Sequence, residues 1–151
     1  MAGRIVVGVD GSPSSRAALR WAAEEAALRD ATLVAVHAWA YVPPPPIGEP
    51  GMIPIPAPEL ESQLEAERSA AQAELDAALE AAFPDGPPEV LEARLVEGDA
   101  ARVLEEESDA ADLVVIGSRG RSALASVLLG SVSRHVVDHA RCPVVVVKAS
   151  S

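Results

Sequence analysis

Apolar positions recur along this chain in two alternating periods, which predict strands and helices in turn. Ile5–Val9 is a continuous apolar run, the pattern of a strand buried on both faces. Ser12-Pro13 reads as an N-cap followed by proline at the first helical position. The helix it opens runs to about Leu28, with Ala18, Leu19, Ala22 and Ala26 on one side. Thr32–His37 is a second strand, and Leu60–Ala82 is a long helix rich in Glu, Ala and Leu. Val90–Val96 alternates more and reads as a third strand, after which Asp99 caps a short helix to about Glu107. Leu113–Ile116 is a fourth strand, Ser131–His139 a helix and Val144–Val147 a fifth strand. This order predicts an α/β fold: a parallel sheet with right-handed crossovers and helices on both faces, a three-layer α/β/α sandwich. With no internal repeat or linker, residues 1–149 read as a single domain.

One segment departs from the alternation. Tyr41–Pro58 is dense in proline and glycine, which oppose helix and central strand alike. It reads either as a semi-rigid connection between the second strand and its helix or as a lid or docking loop.

Composition narrows the function classes. A net charge of −11 argues against general nucleic-acid binding, which depends on basic surface. Lys148 is the only lysine, so no phosphate-loop lysine of the GxxxxGK[ST] type exists upstream. Cys142 is the only cysteine, which excludes an intramolecular disulfide and fits a reducing compartment. No apolar run approaches the ~20 residues that span a bilayer, and the first residues carry no signal-peptide pattern. A cytoplasmic protein without membrane partners is the expectation.

The candidate chemistry lies where strands end and helices begin. In a doubly wound sheet, ligands bind beyond the strand C-termini where the chain order reverses. One loop follows the first strand, through Gly8, Val9, Asp10 and Gly11; another follows the fourth, through Gly117, Ser118, Arg119, Gly120 and Arg121. If the first and fourth strands are neighbours, these loops face each other, and the helix start at Gly130-Ser131-Val132-Ser133 closes the site. Its amides, with the Ser131 and Ser133 hydroxyls, are suited to donate to phosphate oxygens. Arg119 and Arg121 are placed to screen phosphate charge. Asp10 is open to a ribose hydroxyl or a shared Mg2+, and reads equally well as a turn residue. His37-Ala38-Trp39, at the end of the second strand, is the expected adenine wall. His135 and His139 are spaced i,i+4, but no third ligand is evident in sequence, so no metal site is expected there. Cys142 and Trp21 read as packing residues. No GxGxxG follows the first strand and no acidic residue ends the second, which weighs against a dinucleotide oxidoreductase.

Gly117, Gly120, Gly130 and Ser131 complete the pattern G-2x-G-9x-G-[ST], and with it the chain resembles the universal stress protein family. RIVVGVDGSPSSRAALRWAAEEA, LVAVHAW, LVEGDAARVLEEESDAADLVVIGSRGR and RCPVVVVK extend the resemblance over nearly the whole length. The resemblance implies an adenine nucleotide α-hydrolase-like fold with sheet order 3-2-1-4-5 and ATP binding by the branch that keeps this motif. It places Gly8, Val9 and Asp10 on the adenosine half, Ala38 against adenine, Gly117 to Arg121 around ribose and phosphates, and Gly130 to Ser133 on the phosphate tail. Ser122-Ala123 departs from the glycine-rich stretch common after this loop. A homodimer through Val144–Val147 is also implied, and an uncharged apolar edge invites such pairing.

These features leave three functional readings. The first is a nucleotide-dependent stress regulator or sensor that is at most a slow ATPase, with no catalytic residue assigned. The second is an ATP hydrolase or nucleotidyl transferase, with Asp10 the best candidate base. The third is a protein-interaction module using the acidic helix Glu59–Glu80 and the proline loop.

Overall fold

A computed structural model describes residues 3–40, 56–120 and 129–149. Its elements are β1 (Arg4–Gly8), α1 (Pro13–Arg29), β2 (Thr32–Trp39), α2 (Ala57–Ala82), β3 (Leu91–Glu97), α3 (Ala100–Glu107), β4 (Leu113–Gly117), α4 (Ser131–His139) and β5 (Val144–Val147), with a short 3-10 turn at Ser108–Ala110. All five strands form one sheet in the order β3-β2-β1-β4-β5. Every pairing is parallel, with Val6 opposite both Val34 and Val114. The expected α/β class, parallel sheet and 3-2-1-4-5 order are therefore present.

Alternation along the strands divides the core in two. Ile5, Val7, Leu33, Ala35, Leu113 and Val115 point to one face and pack against α1 and α2. Val6, Val34, Val36, Val114 and Ile116 point to the other and pack against α3 and α4. β1 and β4 are buried on both faces, which explains why they read as continuous apolar runs. The edge strand β3 has no fully buried residue, which admits the polar residues that interrupt its apolar positions.

The helix boundaries follow local chemistry. Ser12 caps α1, its Oγ accepting from Ser15 N at 3.2 Å, and Pro13 opens the helix as expected. α1 ends at Asp30, whose left-handed φ of 53° closes the last turn. Asp99 caps α3 through Arg102 N at 3.2 Å. α2 begins at Ala57, so Pro58 belongs to its first turn, where a missing N–H costs no helical bond. The remainder of the proline-rich segment, 41–55, lies outside the described residues. Among those described, no helix is long and apolar enough to cross a membrane.

α2 is held by a narrow stripe of Ala71, Leu75, Ala78 and Ala82, in which only Leu75 is large. Leu75→Ala is expected to cost about 2–5 kcal/mol of unfolding free energy, the range for emptying a buried leucine site. Denaturant unfolding of the two proteins checks this. A loss near zero would mean that α2 does not depend on this anchor.

Cys142 packs beside the α3–α4 core. Burial pushes its thiol up, a backbone hydrogen bond with Val114 opposes that, and the charge of Asp112 adds to the rise. Less thiolate then exists at mildly alkaline pH, so iodoacetamide should alkylate Cys142 more slowly in the native protein than in urea. Equal rates would contradict the burial.

Candidate functional site

Chain order reverses between β1 and β4, because β2 leaves to one side of β1 and β4 arrives on the other. Two loops leave this point. On the β1 side, Gly11 adopts a φ of 80°, a conformation that side chains disfavour. The turn brings Ser12 back onto Asp10, whose Oδ1 accepts from Ser12 N at 2.9 Å and from Ser12 Oγ at 2.6 Å. Ser15 Oγ accepts from Asp10 N at 3.1 Å and donates to the Gly8 carbonyl at 3.3 Å. The first turn of α1 thus fixes the backbone that leaves β1.

The same turn also fixes the loop after β4. A Cβ on Gly117 would lie 2.5 Å from Ser14 Oγ and 2.7 Å from the Ser14 carbonyl carbon, closer than real side chains approach. Only glycine lets α1 come this near. Ser14 Oγ then donates to the Arg119 carbonyl at 2.7 Å and accepts from Arg119 N at 3.3 Å.

Two further bonds bring in α4. Gly130 N donates to the Ser118 carbonyl at 2.8 Å, and Ser133 Oγ donates to the Gly117 carbonyl at 2.6 Å. Gly120 and Gly130 come close: a Cβ on Gly130 would stand 3.3 Å from Gly120 N. A Cβ on Gly120 would stand 3.2 Å from Asp10 Oδ2, so the Asp10 carboxylate faces this loop across the gap.

Between the loops lies a cleft of about 430 Å3. β1 and its loop contribute Gly8, Val9 and Asp10; β2 contributes Val36 and Ala38; the β4 loop contributes Ile116, Gly117, Arg119 and Gly120; α4 contributes Gly130, Ser131, Val132 and Ser133. Ala100 and Leu104 of α3 and Ser15 of α1 complete it. One end is apolar. The other is the N-terminus of α4, where Gly130 supplies no side-chain cap to the first-turn amides.

Most of the residues singled out in the sequence meet here, and several have other partners. Ser118 is buried away from the cleft, its N–H donating to the Val147 carbonyl at 2.9 Å. Arg121 lies outside the described residues. The Ser133 hydroxyl is committed to Gly117, so what Ser133 has left for a ligand is its amide. Of the expected adenine wall, only Ala38 lines the cleft. Strand alternation turns His37 to the opposite face, where Nδ1 donates to the Val9 carbonyl at 2.7 Å and Nε2 lies 3.1 Å from Glu74 Oε2. The α3 contribution was missed. Leu104 is a core position on an amphipathic helix, and nothing local in sequence says that it overhangs Gly8. A third group beside His135 and His139 was missed too: Glu105 comes from α3, and its distance along the chain hides it.

The universal stress protein family matches residues 1–148 of the chain. A universal stress protein of Mycobacterium tuberculosis is 39% identical over 147 residues, which is 97% of this chain and 45% of that protein. The chain thus spans about half the length of the curated relatives it matches. Among solved structures, the universal stress protein UspA from Lactobacillus plantarum superposes with a TM-score of 0.72 at 26% identity, covering 96% of this chain and 97% of that one. A universal stress protein in complex with cAMP superposes with a TM-score of 0.58 at 30% identity, covering 99% and 98%.

The glycines of the site separate by cause. Gly117→Ala is expected to cost at least about 1–3 kcal/mol of stability without any ligand, as overpacking does. Gly130→Ala meets only a tight contact and should cost no more than about 1 kcal/mol. Thermal unfolding of both variants measures the difference, and equal losses would contradict the assigned contacts.

Proposed function

The chain belongs to the universal stress protein family, and we propose that it binds ATP in the β1–β4 cleft and works as a nucleotide-dependent regulator. The observation that carries this reading is the start of α4, to which Gly130 offers no side-chain cap, facing the Asp10 carboxylate across a glycine-lined gap. Amides at a helix N-terminus suit phosphate oxygens, and Gly120 and Gly130 leave the backbone open to them. Ala38, Val36 and Leu104 offer apolar contact to a base at the other end. Arg119 stands exposed at the rim, where its charge suits a polyphosphate. The complex of a related protein with cAMP supports an adenine nucleotide as the ligand class.

The donor set suits Mg2+ only in part. Asp10 is a single carboxylate, so a bound ion would take most of its ligands from phosphates and water. Asp10 Oδ1 already accepts twice from Ser12, which favours a positioning role for this carboxylate over a free general base. A regulator set by occupancy therefore fits better than a fast hydrolase. Among the described residues β5 pairs with β4 alone and forms one edge of the sheet, which supports a homodimer through Val144–Val147.

Ser131→Glu tests the site without disturbing the fold. Ser131 is exposed, and an acidic residue in the first turn is favourable to a helix. The new carboxylate would occupy the place of a phosphate. Calorimetry should show ATP affinity reduced about tenfold or more, a loss of about 1.4 kcal/mol, with adenosine affinity unchanged. Unchanged ATP binding, or equal losses for ATP and adenosine, would overturn the placement of the phosphates.

A further inference from the structure

We propose that Glu105, His135 and His139 form a binding site for a divalent transition-metal ion, on the outer side of the α3–α4 pair and separate from the cleft. Glu105 comes from α3 and both histidines from α4, and the two helices pack against each other. One donor atom from each residue lies within 4.8 Å of the others. His135 Nε2 is 3.7 Å from Glu105 Oε1, too far for a hydrogen bond. A metal bound to nitrogen and oxygen at ~2.0–2.1 Å holds its ligands about 3.3 Å apart in tetrahedral geometry. Binding one ion would draw the three donors closer by about 1 Å and turn the imidazoles toward it.

Two details point to a ligand. His135 Nε2 is itself shut off from solvent and has no hydrogen-bond partner among the described residues, an expensive state for a ring nitrogen. A metal ion beside Glu105 would satisfy it. His139 Nδ1 donates to the His135 carbonyl at 2.9 Å, which leaves the Nε2 lone pair as the free ligand atom. A backbone carbonyl holding one ring nitrogen while the other binds metal is the usual support for a histidine ligand. The two rings are stacked nearly parallel, with centroids 4.2 Å apart, so they lie on one side of α4 and must turn out of the stack for both to reach one ion.

Two imidazoles and one carboxylate select a borderline ion such as Zn2+, Co2+ or Ni2+ over Mg2+ or Ca2+. With three protein ligands, a fourth position stays open to water. His135 and His139 border a surface depression with Arg134 and Asp138, so the ion has a path in from solvent. The ion would act as a clip. It would join the far end of α4, whose start lines the cleft, to α3, whose Ala100 and Leu104 line it too. The site does not depend on what the cleft binds.

The test uses untagged, metal-free chain in a Cys142→Ser background, so that the thiol cannot supply a competing site. Zn2+ is titrated by calorimetry into this parent and into its His139→Ala and Glu105→Gln variants. His139 is exposed, so its replacement leaves the core intact. The expected result is one ion per chain in the parent, affinity reduced about tenfold or more in each variant, and a Zn2+-dependent rise in Tm only in the parent. Co2+ should give the absorption of a tetrahedral or five-coordinate ion in the parent alone. No binding at millimolar Zn2+, or parent-like affinity in either variant, would overturn the site.

Discussion

The structure depends on one close approach: the first turn of α1 lies against the last residue of β4. Gly117 makes this possible, because a Cβ there would collide with the backbone of Ser14. With the collision absent, Ser14 clamps both backbone groups of Arg119. Ser12 and Ser15 fix the exit from β1 at the same time. One helical turn therefore holds both loops of the switch point. Gly117 also accepts from Ser133, which brings α4 into the same assembly. The cleft is the space these contacts leave open, and its shape follows from short backbone distances.

This constraint gives the glycines two separate duties. Gly117 belongs to the packing of α1 on β4, and a nucleotide is not needed to explain it. Gly120 and Gly130 have a different environment: what stands near their missing side chains is Asp10 and the opposing loop backbone. They keep open the gap through which a phosphate would reach the α4 amides. A motif read as one phosphate-binding unit thus contains at least one glycine, Gly117, that packing alone requires.

Much of this was legible along the chain, for local reasons. Ser12-Pro13 and Asp99 mark helix starts because capping needs only neighbours in sequence. β1 and β4 are legible because burial on both faces removes polar positions altogether. The order of elements then limits the topology to a doubly wound sheet. What could not be read depends on contacts between distant segments. Leu104 has the signature of any buried leucine, and its place over the cleft exists only once α3 has packed. Ser14 looks like a first-turn serine until Arg119 is brought to it. His37 looked like part of an adenine wall because it adjoins Ala38, yet strand alternation turns it toward Glu74. Glu105 meets His135 only because α3 and α4 are neighbours.

The proposed nucleotide orientation puts phosphate at the start of α4 and the base against β2 and α3. Backbone amide NMR tests it residue by residue, by comparing ATP with adenosine. ATP should shift the amides of Gly130, Ser131, Val132 and Ser133 as well as those of Val9 and Ala38, and adenosine should shift the second group alone. If adenosine shifted the α4 amides as strongly as ATP does, or if ATP left them in place, the assignment of the phosphate end would be wrong.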